Sequence, residues 1–263
     1  MSRTFRLAAI LAALAGPAAA ADTWRPIFNG RDLEGWVPKV NHRPLGENWR
    51  DTFRVENGVL RVAYDRYDVF KDEFAHLIYR TPLSHYRLRL EYRIVGPAVP
   101  GAPAWAVRNS GVMLHGQPPE TMALDQRFPV SIEAQFLAAA PDAPPGQTRP
   151  TGNVCTPGVT VSIGGVPLQA HCRNSSSKTY PEGEWVRFEV EVRGARLIRH
   201  TVNGEVVMEY GDVRLAPEEF GEFAADPKLL PARSGAPLGS GYISLQGEGH
   251  PVEFRKIELL ELR

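Results

Sequence analysis

The chain has 263 residues, 43% of them apolar, and its 30 basic side chains balance 30 acidic ones to a formal net charge of zero. That balance speaks against nucleic acid or an anionic membrane as the partner. The 24 glycines and 23 prolines favour a turn-rich all-β chain over a helical one.

Residues 1–21 read as a secretory signal peptide: Arg3 and Arg6, an apolar run over 7–14, then Ala19-Ala20-Ala21 before a cleavage point at Asp22. The run is too short to span a bilayer, and no later segment supplies the roughly 18 unbroken apolar residues that a span needs. The expectation is a periplasmic or secreted protein, with one domain over residues 22–263 and no membrane association beyond the signal peptide.

Strand signals dominate from Phe53 onward. Residues 53–62 alternate around Asn57-Gly58, a strong hairpin signal. Residues 86–94 place Leu88, Leu90, Tyr92 and Ile94 on one face and Arg87, Arg89, Glu91 and Arg93 on the other. Similar patterns return over 130–137, 185–192, 198–208 (around Asn203-Gly204), 242–246 and 252–262. Helical periodicity is confined to a short turn near 217–223. The prediction is an all-β, two-sheet antiparallel β-sandwich or jelly roll. Two long loops interrupt it, at about 138–181 and 211–241. Loops of that length in a compact domain tend to carry function. Cys155 and Cys172 are the only cysteines, and in an exported chain the pair is expected to be a disulfide pinning the first loop.

The stretch Phe28-Asn29-Gly30-Arg31-Asp32-Leu33-Glu34-Gly35-Trp36 resembles the F-N-G-x-D-L-x-G-W opening of the 3-keto-disaccharide hydrolase domain family. Later pieces follow in the family's order: Glu56-Asn57-Gly58, Asn109-Ser110-Gly111-Val112, Ile132-Glu133-Ala134-Gln135, Gly183-Glu184-Trp185, Val202-Asn203-Gly204, Ile243-Ser244-Leu245-Gln246 and Phe254-Arg255-Lys256-Ile257. Together they cover nearly the whole mature chain. The resemblance implies a concanavalin A-like sandwich that cleaves glycosides oxidised at carbon 3. Two departures stand out: Val112-Met113-Leu114-His115 where many members carry an arginine, and a cysteine-bearing loop that looks like a distinct branch.

A ketone at carbon 3 acidifies the carbon-2 proton, so the carbon-1 bond can break by elimination, with water adding back afterwards. Such chemistry needs a base near carbon 2, donors for the enolate oxygen and an acid for the leaving oxygen. Strand alternation points Glu133 and Gln135 to the face opposite Ile132, Ala134 and Phe136. Glu133 is therefore the first candidate base, its plainer reading being a solvated strand carboxylate paired with an arginine. His115, expected beside Met113 on that open face, and His250, in the glycine-flanked run from Gln246 to His250, are the other catalytic candidates. Substrate contacts are expected from Glu91, Asn109, Ser110, Gln135, His171, Gln246 and Glu248, with Trp49, Trp105 and Tyr180 as stacking platforms. No cofactor is evident, and a divalent cation at Glu133, His115 and Glu248 stays open. The partner implied is a carbohydrate or glycoside, with a non-catalytic carbohydrate-binding module, or a surface interaction domain, as the alternative role.

Overall fold

The computed structural model describes residues 23–140, 146–216 and 233–262. The signal peptide and the helical turn near 217–223 lie outside the described residues. Seventeen strands follow in chain order: β1 (Arg25–Pro26), β2 (Trp36–Val40), β3 (Phe53–Glu56), β4 (Val59–Val62), β5 (Ala75–Tyr79), β6 (His85–Ile94), β7 (Asn109–Gly116), β8 (Ile132–Leu137), β9 (Asn153–Cys155), β10 (Val159–Ile163), β11 (Val166–Pro167), β12 (Cys172–Arg173), β13 (Val186–Arg193), β14 (Leu197–Val202), β15 (Glu205–Leu215), β16 (Tyr242–Gly247) and β17 (Val252–Glu261). All pairings among them are antiparallel. They form two sheets, as the patterning predicts. One has ten strands, in the order β11-β10-β15-β14-β13-β6-β17-β4-β3 with β1 beside β17; the other has seven, in the order β12-β9-β8-β7-β16-β5-β2.

The hairpins close where the sequence places them. Asn57 and Gly58 have φ of 51° and 79°, and Asn203 and Gly204 have 48° and 92°, the positive pair that a two-residue turn matched to strand twist requires. The ten-stranded sheet keeps one wet face, and β6 alternates between buried and half-buried residues along its length. That outer face is a ladder of ion pairs: Arg87 with Glu189, Arg89 with Glu258, Arg93 with Glu253, and Arg255 with Glu91. The inner faces meet in a continuous apolar core, in which Phe136 of β8 stacks on Tyr92 of β6 at 3.9 Å between ring centroids.

The seven-stranded sheet is different, because segments of chain cover much of its outer face. Every residue of β2, β5 and β7 is buried, and Met122 from the 117–130 segment packs on Val37 and Ile78. Alternation is invisible when both faces are dry, so β2 and β5 carry no sequence signal. Pro38 sits within β2, which is an edge strand, the position where a missing N–H does least harm. The 138–181 stretch, expected as a loop, contributes β9 to β12 at the edges of both sheets. Cys155 and Cys172 are bonded, as expected, and join neighbouring β9 and β12. No helix among the described residues is long and apolar enough to cross a membrane.

Candidate functional site

Register sets which side chains share the covered face of the seven-stranded sheet. Glu133 pairs with Met113 on one side and Cys155 on the other, while Gln135 pairs with Gly111 and Asn153. Residues opposite one another on antiparallel strands point to the same face, so these six side the same way. A cavity of about 270 Å³ opens there, lined by Glu133, Gln135, Asn109 and Glu248 and walled by Trp105, Phe128, Pro157, His171 and the Cys155–Cys172 bridge. It combines a mainly apolar lining with a few convergent polar groups, the usual make-up of a small-molecule site.

Glu133 is 6% exposed and its Oε1 has no hydrogen-bond partner among the described residues. Burial pushes its carboxyl up from the ordinary 4.5 to about 8, and the neighbouring Gln246 amide counters only part of that. The amide is close without closing a bond: both Gln246 side-chain atoms are buried and unpartnered. Glu248, 2% exposed with a partnerless Oε2, is raised further, first by burial and then by the charge of Glu133. Two buried carboxyls within reach of each other's charge cannot both ionise readily, so the pair holds at least one proton at neutral pH.

Gly111 makes room for this arrangement. A Cβ there would stand 2.9 Å from Glu133 Oε1 and 2.9 Å from the Ala134 carbonyl oxygen. The glycine of the Asn109-Ser110-Gly111 run thus lets the Glu133 side chain lie across β7. Asn109 donates from Nδ2 to the Trp105 carbonyl at 3.2 Å and leaves Oδ1 unpartnered. Gln135 accepts from Asn153 Nδ2 at 3.0 Å, leaving its own amide nitrogen as the donor for a ligand.

Several residues singled out from sequence lie elsewhere. His115 does not share the open face with Met113: its φ is 51° and the β7–β16 register shifts beside it, so alternation breaks. Its fully buried ring packs edge-on to Tyr86 in the core, Nε2 faces the Gly194 carbonyl at 3.3 Å, and burial lowers its pKa to about 4. The trio Glu133, His115 and Glu248 is therefore not assembled as a cation site. Ser110 points inward and donates to the Gln246 carbonyl at 2.8 Å. Glu91 lies on the outer face of the other sheet, held by Arg255 and Lys256. His250 is buried outside the cavity lining, its pKa lowered to about 4 by burial, with Glu182 and Arg108 as charged neighbours. Trp49 lies under Arg43, and Tyr180 is buried, so Trp105 alone of the three aromatic candidates lines the cavity.

His171 does reach the cavity from the disulfide-tethered segment, with burial lowering its pKa. Among the described residues, the metal-ligand type atoms that cluster are those of Cys155, His171 and Cys172, within 4.8 Å of one another. With both sulfurs bonded to each other, neither is a thiolate ligand. The sequence gave no sign of Phe128 or Pro157 as cavity walls, since each comes from a segment without strand periodicity.

Comparison with known families decides the kinship. The family model described as a 3-keto-alpha-glucoside-1,2-lyase-like domain matches residues 23–260. The chain belongs to this family. Among solved structures it is similar to a candidate glycosyl hydrolase from Parabacteroides distasonis, with a TM-score of 0.52 at 16% identity over 91% of this chain and 94% of that one. A second candidate glycosyl hydrolase from the same organism gives 0.50 at 18% identity over 91% and 100%. A Bacillus subtilis protein of unknown function with a galectin-like fold gives 0.52 at 9% identity over 91% and 94%. At such identities the likeness is one of fold. No curated protein matches the chain.

The opening motif of the lyase-like domain is structural here. Asn29 Oδ1 accepts from the backbone N–H of Arg31 and Asp32, closing a turn, and Trp36 Nε1 donates to the Ile27 carbonyl at 2.8 Å. These contacts dock the chain's start on the core rather than building the cavity.

Proposed function

We propose that the protein cleaves 3-keto-glycosides by elimination across carbons 1 and 2, with Glu133 as the base. The observation that carries this reading is the buried carboxyl pair of Glu133 and Glu248 on one cavity, with Glu133 raised to about 8 and Glu248 raised well above its ordinary value. Two carboxyls pushed apart in this way divide into an ionisable base and a proton-holding acid. Glu133 takes the proton from carbon 2, and its electron pair passes to the carbon-3 oxygen as an enolate. The enolate re-forms the ketone as the carbon-1 to oxygen bond breaks, and Glu248 donates its proton to the leaving oxygen. Water then adds to the resulting enone. Asn109, Gln135 and Gln246 supply the amides for the enolate oxygen and the ring hydroxyls, and His171 contacts the sugar from the tethered edge.

A carbohydrate-binding module is the other reading that a lectin-like sandwich permits. Two buried, unpaired carboxyls count against it, because they destabilise a fold without adding to simple recognition. The deciding experiment incubates the pure protein with a 3-keto-glucoside carrying a nitrophenol leaving group. Release of nitrophenol supports the lyase, and binding without release supports the module. Export belongs to the same proposal: the Cys155–Cys172 bond suits an oxidising compartment, and N-terminal sequencing of the exported protein should begin at Asp22.

A further inference from the structure

A second hollow, of about 330 Å³, is lined by Phe70, Asp72, Phe74, Pro103, Trp105 and Arg127, among others. It shares the Trp105 indole with the cavity that holds Glu133. Trp105 is 51% exposed, although one face is stacked on Phe74 at 5.6 Å and 5° between planes. Phe128, on the wall of the first cavity, packs on the same Phe74 at 5.0 Å. One aromatic ridge thus runs between the two hollows.

On the far side of the ridge the chemistry turns polar. Asp72 receives Arg127 Nε at 2.6 Å and Asn41 Nδ2 at 3.2 Å, with His42 Nε2 at 3.9 Å. All these contacts fall on Oδ2, so among the described residues Oδ1 is left without a donor. The residue is held in this pose at a φ of 70°, a conformation that few side chains other than Asn and Asp adopt. Asn41 Nδ2 also donates to its carbonyl, at 2.9 Å. A fixed carboxylate with one open oxygen, beside a half-exposed indole, is a recognition element for a hydroxyl-bearing ring: the aromatic plane takes the C–H face and the carboxylate accepts from a hydroxyl.

Resting on the proposed reaction, we infer that this hollow is the leaving-group subsite, in which Trp105 and Asp72 select glycosides whose leaving alcohol is itself a sugar. The keto sugar then occupies the cavity at Glu133, and the glycosidic bond lies along the edge of Trp105. An alkyl leaving group leaves Asp72 Oδ1 unused.

The test compares kcat/KM for two 3-keto-glucosides, one releasing glucose and one releasing methanol, and reads their ratio. In Asp72→Ala the ratio falls about ten-fold or more, the scale of one lost charge-assisted hydrogen bond. Asp72→Asn, which removes only the charge, shifts the ratio in the same direction by less, and serves if Asp72→Ala does not fold. A ratio held at the wild-type value in a folded variant overturns the subsite while leaving the reaction intact. If the wild-type protein cleaves neither compound, the reaction fails instead, and the subsite is read by calorimetric titration with an unoxidised glucosyl-glucose disaccharide against methyl glucoside. Tighter disaccharide binding that is lost in Asp72→Ala supports the subsite, and equal affinity for the two ligands overturns it.

Discussion

Replacing Glu133 by Gln should make the protein more stable at alkaline pH. Glu133 in the folded chain holds its proton up to about pH 8, against an ordinary value of 4.5. Below 4.5 the folded and unfolded chains both carry that proton and the group is neutral to stability. Between 4.5 and 8 the folded state binds a proton that the unfolded state has released, so stability falls by about 1.4 kcal/mol per pH unit. Above about 8 the loss is complete, on the order of 4 to 5 kcal/mol. Glutamine keeps the shape and cannot ionise, so Glu133→Gln removes this loss. Urea unfolding of wild type and variant at pH 5, 7 and 9 is the assay, with the disulfide kept intact. The variant's advantage should be small at pH 5 and should grow with pH to a few kcal/mol at pH 9. An advantage that stays flat from pH 5 to 9 would mean that Glu133 titrates like an exposed carboxylate, and the division of roles with Glu248 would fall.

Gly111→Ala should cost about 1 to 3 kcal/mol, because its Cβ meets both the Ala134 carbonyl and the Glu133 carboxylate; thermal unfolding checks the stability, and the lyase assay checks the expected loss of turnover. The Cys155→Ala, Cys172→Ala double variant, which opens a link of 17 residues, should lose about 3 kcal/mol in denaturant unfolding. Because the bridge and His171 wall the cavity together, its KM should rise more than its kcat falls.

Strands with one wet face were legible in the sequence. β6, β13 and the β14–β15 hairpin show alternation because solvent touches every second residue, and the Asn-Gly pairs mark their turns by needing positive φ. The same alternation correctly sided Glu133 with Gln135, since β8 runs without a bulge through both. It failed at His115, where a left-handed residue and a register shift turn the ring into the core, a feature that residue types alone do not encode. It was silent for β2 and β5, whose second face is covered by chain far away in sequence. Glu91 shows the limit of a polar face read from one strand: its partners Arg255 and Lys256 come from β17, 164 and 165 residues on. Glu248 was named as a substrate contact, and its coupling to Glu133 emerges only when β16 is brought beside β7.

The most direct test of the account is the kcat of Glu133→Gln for aglycone release from a 3-keto-glucoside, measured on protein shown to be folded. If Glu133 removes the carbon-2 proton, kcat falls by about 10² or more, the usual contribution of a general base. A folded Glu133→Gln that releases aglycone at the wild-type rate would contradict the assignment and with it the proposed mechanism.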